Sequence, residues 1–424
     1  MHNYKGLFMN TCDLMCINIG ELLTIAGENR PRIGKEMSEL GLLHDSAIAV
    51  KNGRIVAIGD NKKIQEEWTA ENIIDANYKL VTPGFVDSHT HPVFAGSRES
   101  EFNMRVKGAT YKEIAAAGGG IVKSVTQFRN ANYDEIKNAT RHRMERFLQL
   151  GTTTIEAKSG YGLDTESELQ SLRLIKDLKN VVPIDVVPTF LVAHDIPVEY
   201  RNNPQEYVRI LCEEMIPKVA KEDLALYCDV FCEKNVFELE DSEKILETAK
   251  KYNMKLKLHA DELSCLGGAE LAAKLSAVSA DHLVNISDKG IEALAKAGVI
   301  AVLLPATTFF LGSNKYAPAR KMVDSGVPVA LATDFNPGSC MTQSMQLVLT
   351  IAALYLHLSL AEVFVAATIN GACAIGMEQE VGSLMVGKSA DFVIWNAQNY
   401  FYVPYHFGDN LVDRVIKRGQ MVVY

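Results

Sequence analysis

Two histidines separated by one residue, His89 and His91, close the stretch Leu-Val-Thr-Pro-Gly-Phe-Val-Asp-Ser-His-Thr-His that begins at Leu80. Side chains alternate across a strand, so a short apolar run opening after Pro83-Gly84 delivers both imidazoles to one face at its carboxyl end. Neutral imidazole nitrogens placed that way can ligate Zn²⁺ or Fe²⁺. A catalytic metal site then needs roughly one or two further His, Asp or Glu ligands and a position left for water.

Candidates for those ligands close other apolar runs. His194 ends Val-Val-Pro-Thr-Phe-Leu-Val-Ala-His, His259 ends Lys-Leu-Lys-Leu-His, His282 ends Ala-Val-Ser-Ala-Asp-His, and Asp334 ends Val-Ala-Leu-Ala-Thr-Asp. A single histidine in apolar surroundings is usually structural, but here five of the ten close a strand-like run. His2, His44, His142, His357 and His406 close none and read as structural. The expected ligands are His89, His91, His259 and Asp334 around one metal. Such a metal lowers the pKa of its water to about 7 in favourable cases and polarises the bond to be attacked.

Further runs end at Lys158, Glu233 and Leu304, making eight. Between them lie helical intervals at Tyr133 to Leu150, Glu166 to Leu178, Asp241 to Tyr252, Gly267 to Leu275, Asp288 to Ala297 and Tyr316 to Ser325, each with apolar residues near helical spacing. Alternating strands and helices imply a parallel sheet, and eight units imply an α/β fold of the (β/α)₈ TIM-barrel kind, with its active site at the carboxyl ends of the strands. A doubly wound open sheet is the alternative, but no Gly-x-Gly-x-x-Gly follows a first strand. Gly118-Gly119-Gly120 reads as a loop over the barrel mouth. Both ends of the chain differ from this middle. Ser46 to Ile58 is two β-rich runs around Asn52-Gly53, a strong hairpin signal, and similar runs lie at Gly387 to Trp395 and Arg414 to Val423. Residues 1–80 and 375–424 are therefore expected to build one small β-sandwich domain together, with 81–374 as the barrel.

The totals set outer limits. A chain of 424 residues, 48% hydrophobic and 22% charged, is ordinary for a globular protein. Its net charge of -9, without runs of like charge, disfavours nucleic acid and anionic membrane as partners. The eight cysteines mostly have apolar flanks, as at Cys228, Cys232 and Cys373, and no second Cys or His pair follows Cys12 and Cys16 at zinc-finger distance. They read as reduced thiols in the cytoplasm. Asn10, Asp13 and Asn18 interrupt the N-terminal apolar stretch, which disfavours a secretory signal. Leu347 to Ile369 is apolar enough to suggest a membrane span, but His357, Ser359 and Glu362 make a buried helix pair the better reading.

Taken in order, Pro-Gly-Phe-Val-Asp-Ser-His89-Thr-His91, His-Ala-Asp-Glu262, Ser-Ala-Asp-His282 and Ala-Thr-Asp334 resemble the amidohydrolase superfamily. Phe-Ala-Gly-Ser-Arg98-Glu, Ala-Gly-Gly-Gly-Ile, Lys-Ser-Gly-Tyr161-Gly-Leu, Ala-His194 and Asp334-Phe-Asn336-Pro-Gly338-Ser339 narrow the resemblance to its cyclic-amide-opening branch in histidine degradation, over nearly the full chain. The resemblance implies hydrolysis of the ring amide of 4-imidazolone-5-propanoate to N-formimidoyl-L-glutamate, with zinc or iron as a divalent or trivalent cofactor. Related two-metal barrels carry a bridging carboxylated lysine on strand four, where this chain has Glu233, so one metal is expected. Arg98 can clasp the substrate carboxylate through parallel hydrogen bonds, and Tyr161 can add a hydroxyl. Similarity places His194, Glu262, Asn336, Gly338 and Ser339 in the same pocket. Glu262, His282 and Asp334 are the expected catalytic groups: His282 steadies the oxyanion, and Asp334 or Glu262 passes a proton to the departing nitrogen. A purine or pyrimidine deaminase on the same frame, or a noncatalytic metal-binding barrel, is the alternative. A homodimer is the expected assembly, as the commonest among soluble enzymes.

Overall fold

The computed structural model describes residues 9–109, 113 and 117–424. At the N-terminal side, strands β1 (Asn10–Leu23), β2 (Leu42–Lys51), β3 (Arg54–Asp60), β4 (Trp68–Asp75) and β5 (Leu80–Pro83) form a sheet. Eight further strands, β6 (Phe85–Asp87), β7 (Thr152–Lys158), β8 (Asp185–Ala193), β9 (Tyr227–Cys232), β10 (Lys255–Ala260), β11 (Ser279–His282), β12 (Ile300–Leu303) and β13 (Val329–Leu331), pair in sequence order and in parallel. They make the expected (β/α)₈ barrel. Several of its helices begin at a capping side chain: Asn132, Asp164 and Ser287 each accept an N–H bond at the starts of Tyr133–Gln149, Thr165–Leu178 and Asp288–Ala297.

The ring of strands closes at the functional rim. Thr90 bridges Phe335, the His91 N–H donates to Phe335 O at 2.9 Å, and the Asp334 N–H donates to His89 O at 3.0 Å. His89, His91 and Asp334 thus lie beyond the regular ends of β6 and β13, not within strands as the sequence reading had them. The physical reason is visible at Thr333, whose N–H and hydroxyl are taken by the Asp87 carboxylate at 3.0 and 2.6 Å, and at Asp334, whose φ of 54° ends the extended run.

Two apolar stretches depart from their sequence bounds by more than two residues. Tyr316 to Ser325 narrows to the helix Ala319–Asp324 because Pro318 keeps the residue before it out of helical conformation. Leu347 to Ile369 divides into Met345–Tyr355 and Leu360–Ala366, broken at His357 with φ 55° and restarted by a reciprocal Ser359–Glu362 cap. No helix among the described residues is long and apolar enough to cross a membrane.

Both ends of the chain meet in the other sheet. β14 (Phe392–Trp395), β15 (Val412–Lys417) and β16 (Gln420–Val423) extend it through the pairing of β14 with β5, in the order β16-β15-β14-β5-β1-β2-β3. The Asn52-Gly53 hairpin joins β2 to β3 with both turn residues at positive φ. Alternation along β2 sends Ile48 and Val50 to one apolar cluster and Ala47 and Ala49 to another. Only Gly84 separates β5 from β6, and a Cβ there would come within 2.8 Å of Thr153 Cβ. Trp395 seals this junction, fully buried, with its ring 5.4 Å from that of Phe85 and its Nε1–H donating to Thr82 Oγ1 at 2.9 Å.

Candidate active site

The candidate ligands, substrate contacts and acid–base groups of the sequence gather at one cavity of about 600 Å³ at the carboxyl ends of the strands. His91, Arg98, Tyr161, His194, His259, Glu262, His282, Asp334, Asn336, Gly338 and Ser339 line it, and His89, fully buried, forms its floor.

The histidine end is built from nitrogen and oxygen lone pairs. His89 Nδ1–H donates to Asp281 Oδ2 at 2.6 Å, which leaves Nε2 unprotonated and aimed inward. That nitrogen lies 3.2 Å from His91 Nε2 and 3.5 Å from Asp334 Oδ1, and His91 Nε2 lies 3.3 Å from the same oxygen. Asp334 Oδ1 is buried and receives no hydrogen bond, while Oδ2 accepts the Thr307 hydroxyl at 2.6 Å. Ligand atoms of His89, His91 and Asp334 fall within 4.8 Å of one another, as do those of His89, His259 and His282. A buried carboxylate oxygen without a hydrogen bond, set among converging imidazole nitrogens, is a donor set that fits a cation. His282 thus stands near enough to compete for the place expected of a ligand, while Asp229, 3.0 Å from His259 Nδ1, turns the other nitrogen of His259 inward.

Protonation follows burial. Desolvation, helped by the neighbouring Lys158 and the other histidines, keeps His89 well below its ordinary pKa. Burial also depresses His282, to about 3. Burial pushes Glu262 up to about 8, with the Asp334 charge adding to the effect. Its Oε2 stands 3.6 Å from His282 Nε2. The loop bearing Glu262 is fixed by Glu233, whose carboxylate accepts from the N–H groups of Leu263 and Ser264 and from the Ser264 hydroxyl, and by Asn285, which donates to Glu262 O at 2.6 Å. Glu233 is therefore occupied in holding a loop. His282 and Asp334 sit at φ 74° and 54°, left-handed conformations that concentrate at functional sites.

At the far end of the cavity, the helix Glu99–Val106 supplies guanidinium groups. Arg98 donates from Nε and Nη2 to Glu101 Oε2 at 2.9 and 2.7 Å, and its remaining edge lies against Gly338, where a Cβ would come within 2.9 Å of Arg98 Cζ. Asn336 lines the cavity but spends its amide on its own turn, accepting from the N–H groups of Gly338 and Ser339 and donating to Asp334 O. His194 gives its Nδ1–H to Gly160 O at 2.9 Å and stacks on His91 with 5.3 Å between centroids. Gly120, last of the glycine run, gives its N–H to Glu101 Oε2 at 3.1 Å, so it serves the arginine end.

The amidohydrolase family model matches residues 80–422. The chain is 47% identical to the imidazolonepropionase of Alkaliphilus metalliredigens over 97% of its own length and 98% of that protein's. It is 48% identical to the imidazolonepropionase of Bacillus velezensis over 97% of each. The chain belongs to the amidohydrolase family. Two solved structures share the fold of this amidohydrolase at low identity. One is E. coli guanine deaminase, with a TM-score of 0.73 at 16% identity, covering 96% of this chain and 98% of that one. The other is a zinc-bound adenosine deaminase from Xanthomonas campestris, with a TM-score of 0.71 at 20% identity, covering 97% and 93%.

Beneath the histidines, this amidohydrolase carries a buried charged layer that the sequence reading missed. Lys158 Nζ lies 2.7 Å from Asp229, 2.9 Å from Glu156 and 3.7 Å from Asp281. Lys257 Nζ reaches Glu156 at 2.8 Å and Ser88 O at 3.1 Å. Burial alone would strip the proton from Lys158, but Asp229, Glu156 and Asp281 outweigh it and hold the ammonium. The layer locks the two carboxylates that orient His89 and His259. Its signal was present in Glu156-Ala-Lys158 and Lys257-Leu-His259, where alternation sends every second, polar residue inward.

Proposed function

We propose that this amidohydrolase opens the ring of 4-imidazolone-5-propanoate to N-formimidoyl-L-glutamate, cleaving the cyclic amide C–N bond. The observation that carries the reading is one cavity with a lone-pair cluster suited to a metal at one end and arginine at the other, in a chain about half identical to imidazolonepropionases. That spacing suits a substrate bearing a reactive ring and a carboxylate tail.

His89, His91, His259 and Asp334 would hold one metal, zinc or iron, both of which suit a His/Asp set. When bound, the metal supplies Lewis-acid polarisation of the ring carbonyl and an acidified water. The remaining steps belong to side chains. Arg98 fixes the propanoate carboxylate, so the ring carbonyl faces the histidines. His282 donates to the carbonyl oxygen as negative charge gathers on it. Asp334, its Oδ2 already held by Thr307, takes a proton from the attacking water, and Glu262 hands one to the departing ring nitrogen. Tyr161 and His194 wall the cavity beside His91, and their close ring packing limits bulk water near the ring.

A nucleobase deaminase would use the same metal frame, but a neutral base carries no carboxylate to pair with Arg98. Eight unpaired thiols support a reducing, cytoplasmic setting. The test is ultraviolet monitoring of freshly made imidazolone propanoate with purified protein, with and without chelator. Ring opening that stops with chelator and returns with metal is expected. Ammonia release from a purine or pyrimidine, with no ring opening, would overturn the reading, and so would no turnover of either.

A further inference from the structure

Arg98 is not the only guanidinium in the cavity. Arg105, about two turns further along the helix Glu99–Val106 and so on the same side as Arg98, lines the same end. Its Nη2 donates to Gly338 O at 3.2 Å, and Gly338 is the residue against which Arg98 lies. Its Cζ sits 5.3 Å from the centre of the Phe310 ring, which stacks on Phe102. Two guanidiniums therefore flank one backbone turn.

Their charges are unequally compensated. Glu101 Oε2 is consumed by Arg98 twice and by the Gly120 N–H, and Lys123 stands 3.9 Å from the other oxygen. Arg105 has no acidic side chain within ion-pair distance among the described residues, and its Nε is buried with no acceptor. Burial and the nearby Arg98 charge both disfavour its cationic form, with only Glu101 acting in the other direction. An anion in the cavity within reach of both arginines would relieve both effects. The cavity end thus presents two cations against one lining carboxylate, an excess of one positive charge, which equals the charge of one carboxylate.

We propose that Arg105 is a specificity-determining residue, the second arm that with Arg98 grips the side-chain carboxylate of the substrate. Arg98 is tethered to Glu101 and sets the position, while Arg105 supplies the uncompensated charge. This rests on the proposed ring-opening activity and adds the group that makes the enzyme select acids over neutral analogues.

The test compares 4-imidazolone-5-propanoate with its propanamide analogue, equal in shape but uncharged, on wild-type protein and Arg105→Gln. For the acid, kcat/KM is expected to fall about 10- to 100-fold in the variant, mainly through KM, the range spanned by losing a charge-assisted hydrogen bond. For the amide it should change less than about 3-fold on the same reasoning. A merely structural role would lower both substrates alike, and that outcome overturns the proposal. Should Arg105→Gln not fold, Arg105→Lys is read by the same acid-to-amide ratio. A ratio reduced by at least about 3-fold supports the clasp, because an ammonium cannot reproduce the planar fork, and an unchanged ratio overturns it. Wild-type protein that opens neither substrate refutes the activity itself, a result distinct from retained acid preference in the variant.

Discussion

Replacing Gly338 by alanine isolates the carboxylate grip without touching a charged residue. A Cβ at this position would come within 2.2 Å of Arg98 Nη1 and 2.9 Å of its Cζ, whereas non-bonded heavy atoms rest at about 3.5 Å, so the guanidinium must move by roughly 1 Å or more. It cannot swing freely, because Nε and Nη2 are both held by Glu101. The displaced edge is the one left for substrate. A hydrogen bond to a charged group contributes about 1.5–3 kcal/mol, and each 1.4 kcal/mol is tenfold. KM for the imidazolone substrate should therefore rise about 10- to 100-fold on that basis, with kcat changed much less because the reacting end is untouched. Initial rates from ultraviolet absorbance over a range of substrate concentrations measure both constants, and metal analysis of the same preparation shows that the histidine end is intact. A variant with unchanged KM, or with kcat reduced at constant KM, would refute the assignment of Arg98 to the carboxylate.

Other perturbations probe the rest of the site. Glu262→Gln should lower kcat by about 10²- to 10⁴-fold, the usual range for losing a general acid, with metal content unchanged; near-normal turnover removes Glu262 from proton transfer. Asp281→Asn loosens the carboxylate that holds the His89 tautomer, so metal affinity should drop about 10- to 100-fold, read by competition with a chelator, and unaltered affinity would count against the orienting role. Burial lowers Lys388 to about 8, below the 10.5 of the free side chain, although its ammonium donates to Glu378 O, Val381 O and Ser383 Oγ. Between those two values the unfolded chain binds a proton that the folded one has released, so stability rises with pH there, and below about 8 the full cost of the buried charge is present. The Tm of wild-type protein relative to Lys388→Met should accordingly climb from pH 8 upward; a flat or falling difference contradicts it.

The metal end was legible because its residues close apolar runs, and alternation along a strand is a local rule. His194, His259 and His282 fall at the ends of β8, β10 and β11, and the helix Asp288–Ala297 has the bounds its spacing suggests. The Asn52-Gly53 turn was legible for the same reason. What escaped was set by closure of the ring. Asp229, Asp281 and Thr307 acquire their roles only when neighbouring strands bring them against His259, His89 and Asp334. Glu156, Lys158 and Lys257 look anomalous in runs otherwise read as apolar, and only mutual pairing makes them tolerable inside a barrel. Arg105 carries no motif at all. Its place beside Gly338 comes from a helix and a loop far apart in the chain.

The wedge of Trp395 against Phe85 has a consequence for how the molecule is made. Phe85 opens the first barrel strand, yet its covering ring arrives some three hundred residues later, together with the strand that hydrogen-bonds to β5. On a ribosome releasing about 5–20 residues per second, the start of the barrel waits tens of seconds for its lid. Nascent chains must pass that interval with an aromatic side chain uncovered, so chaperone dependence should be greatest just before the carboxyl terminus emerges, and trimming the last strands should trap an aggregation-prone barrel.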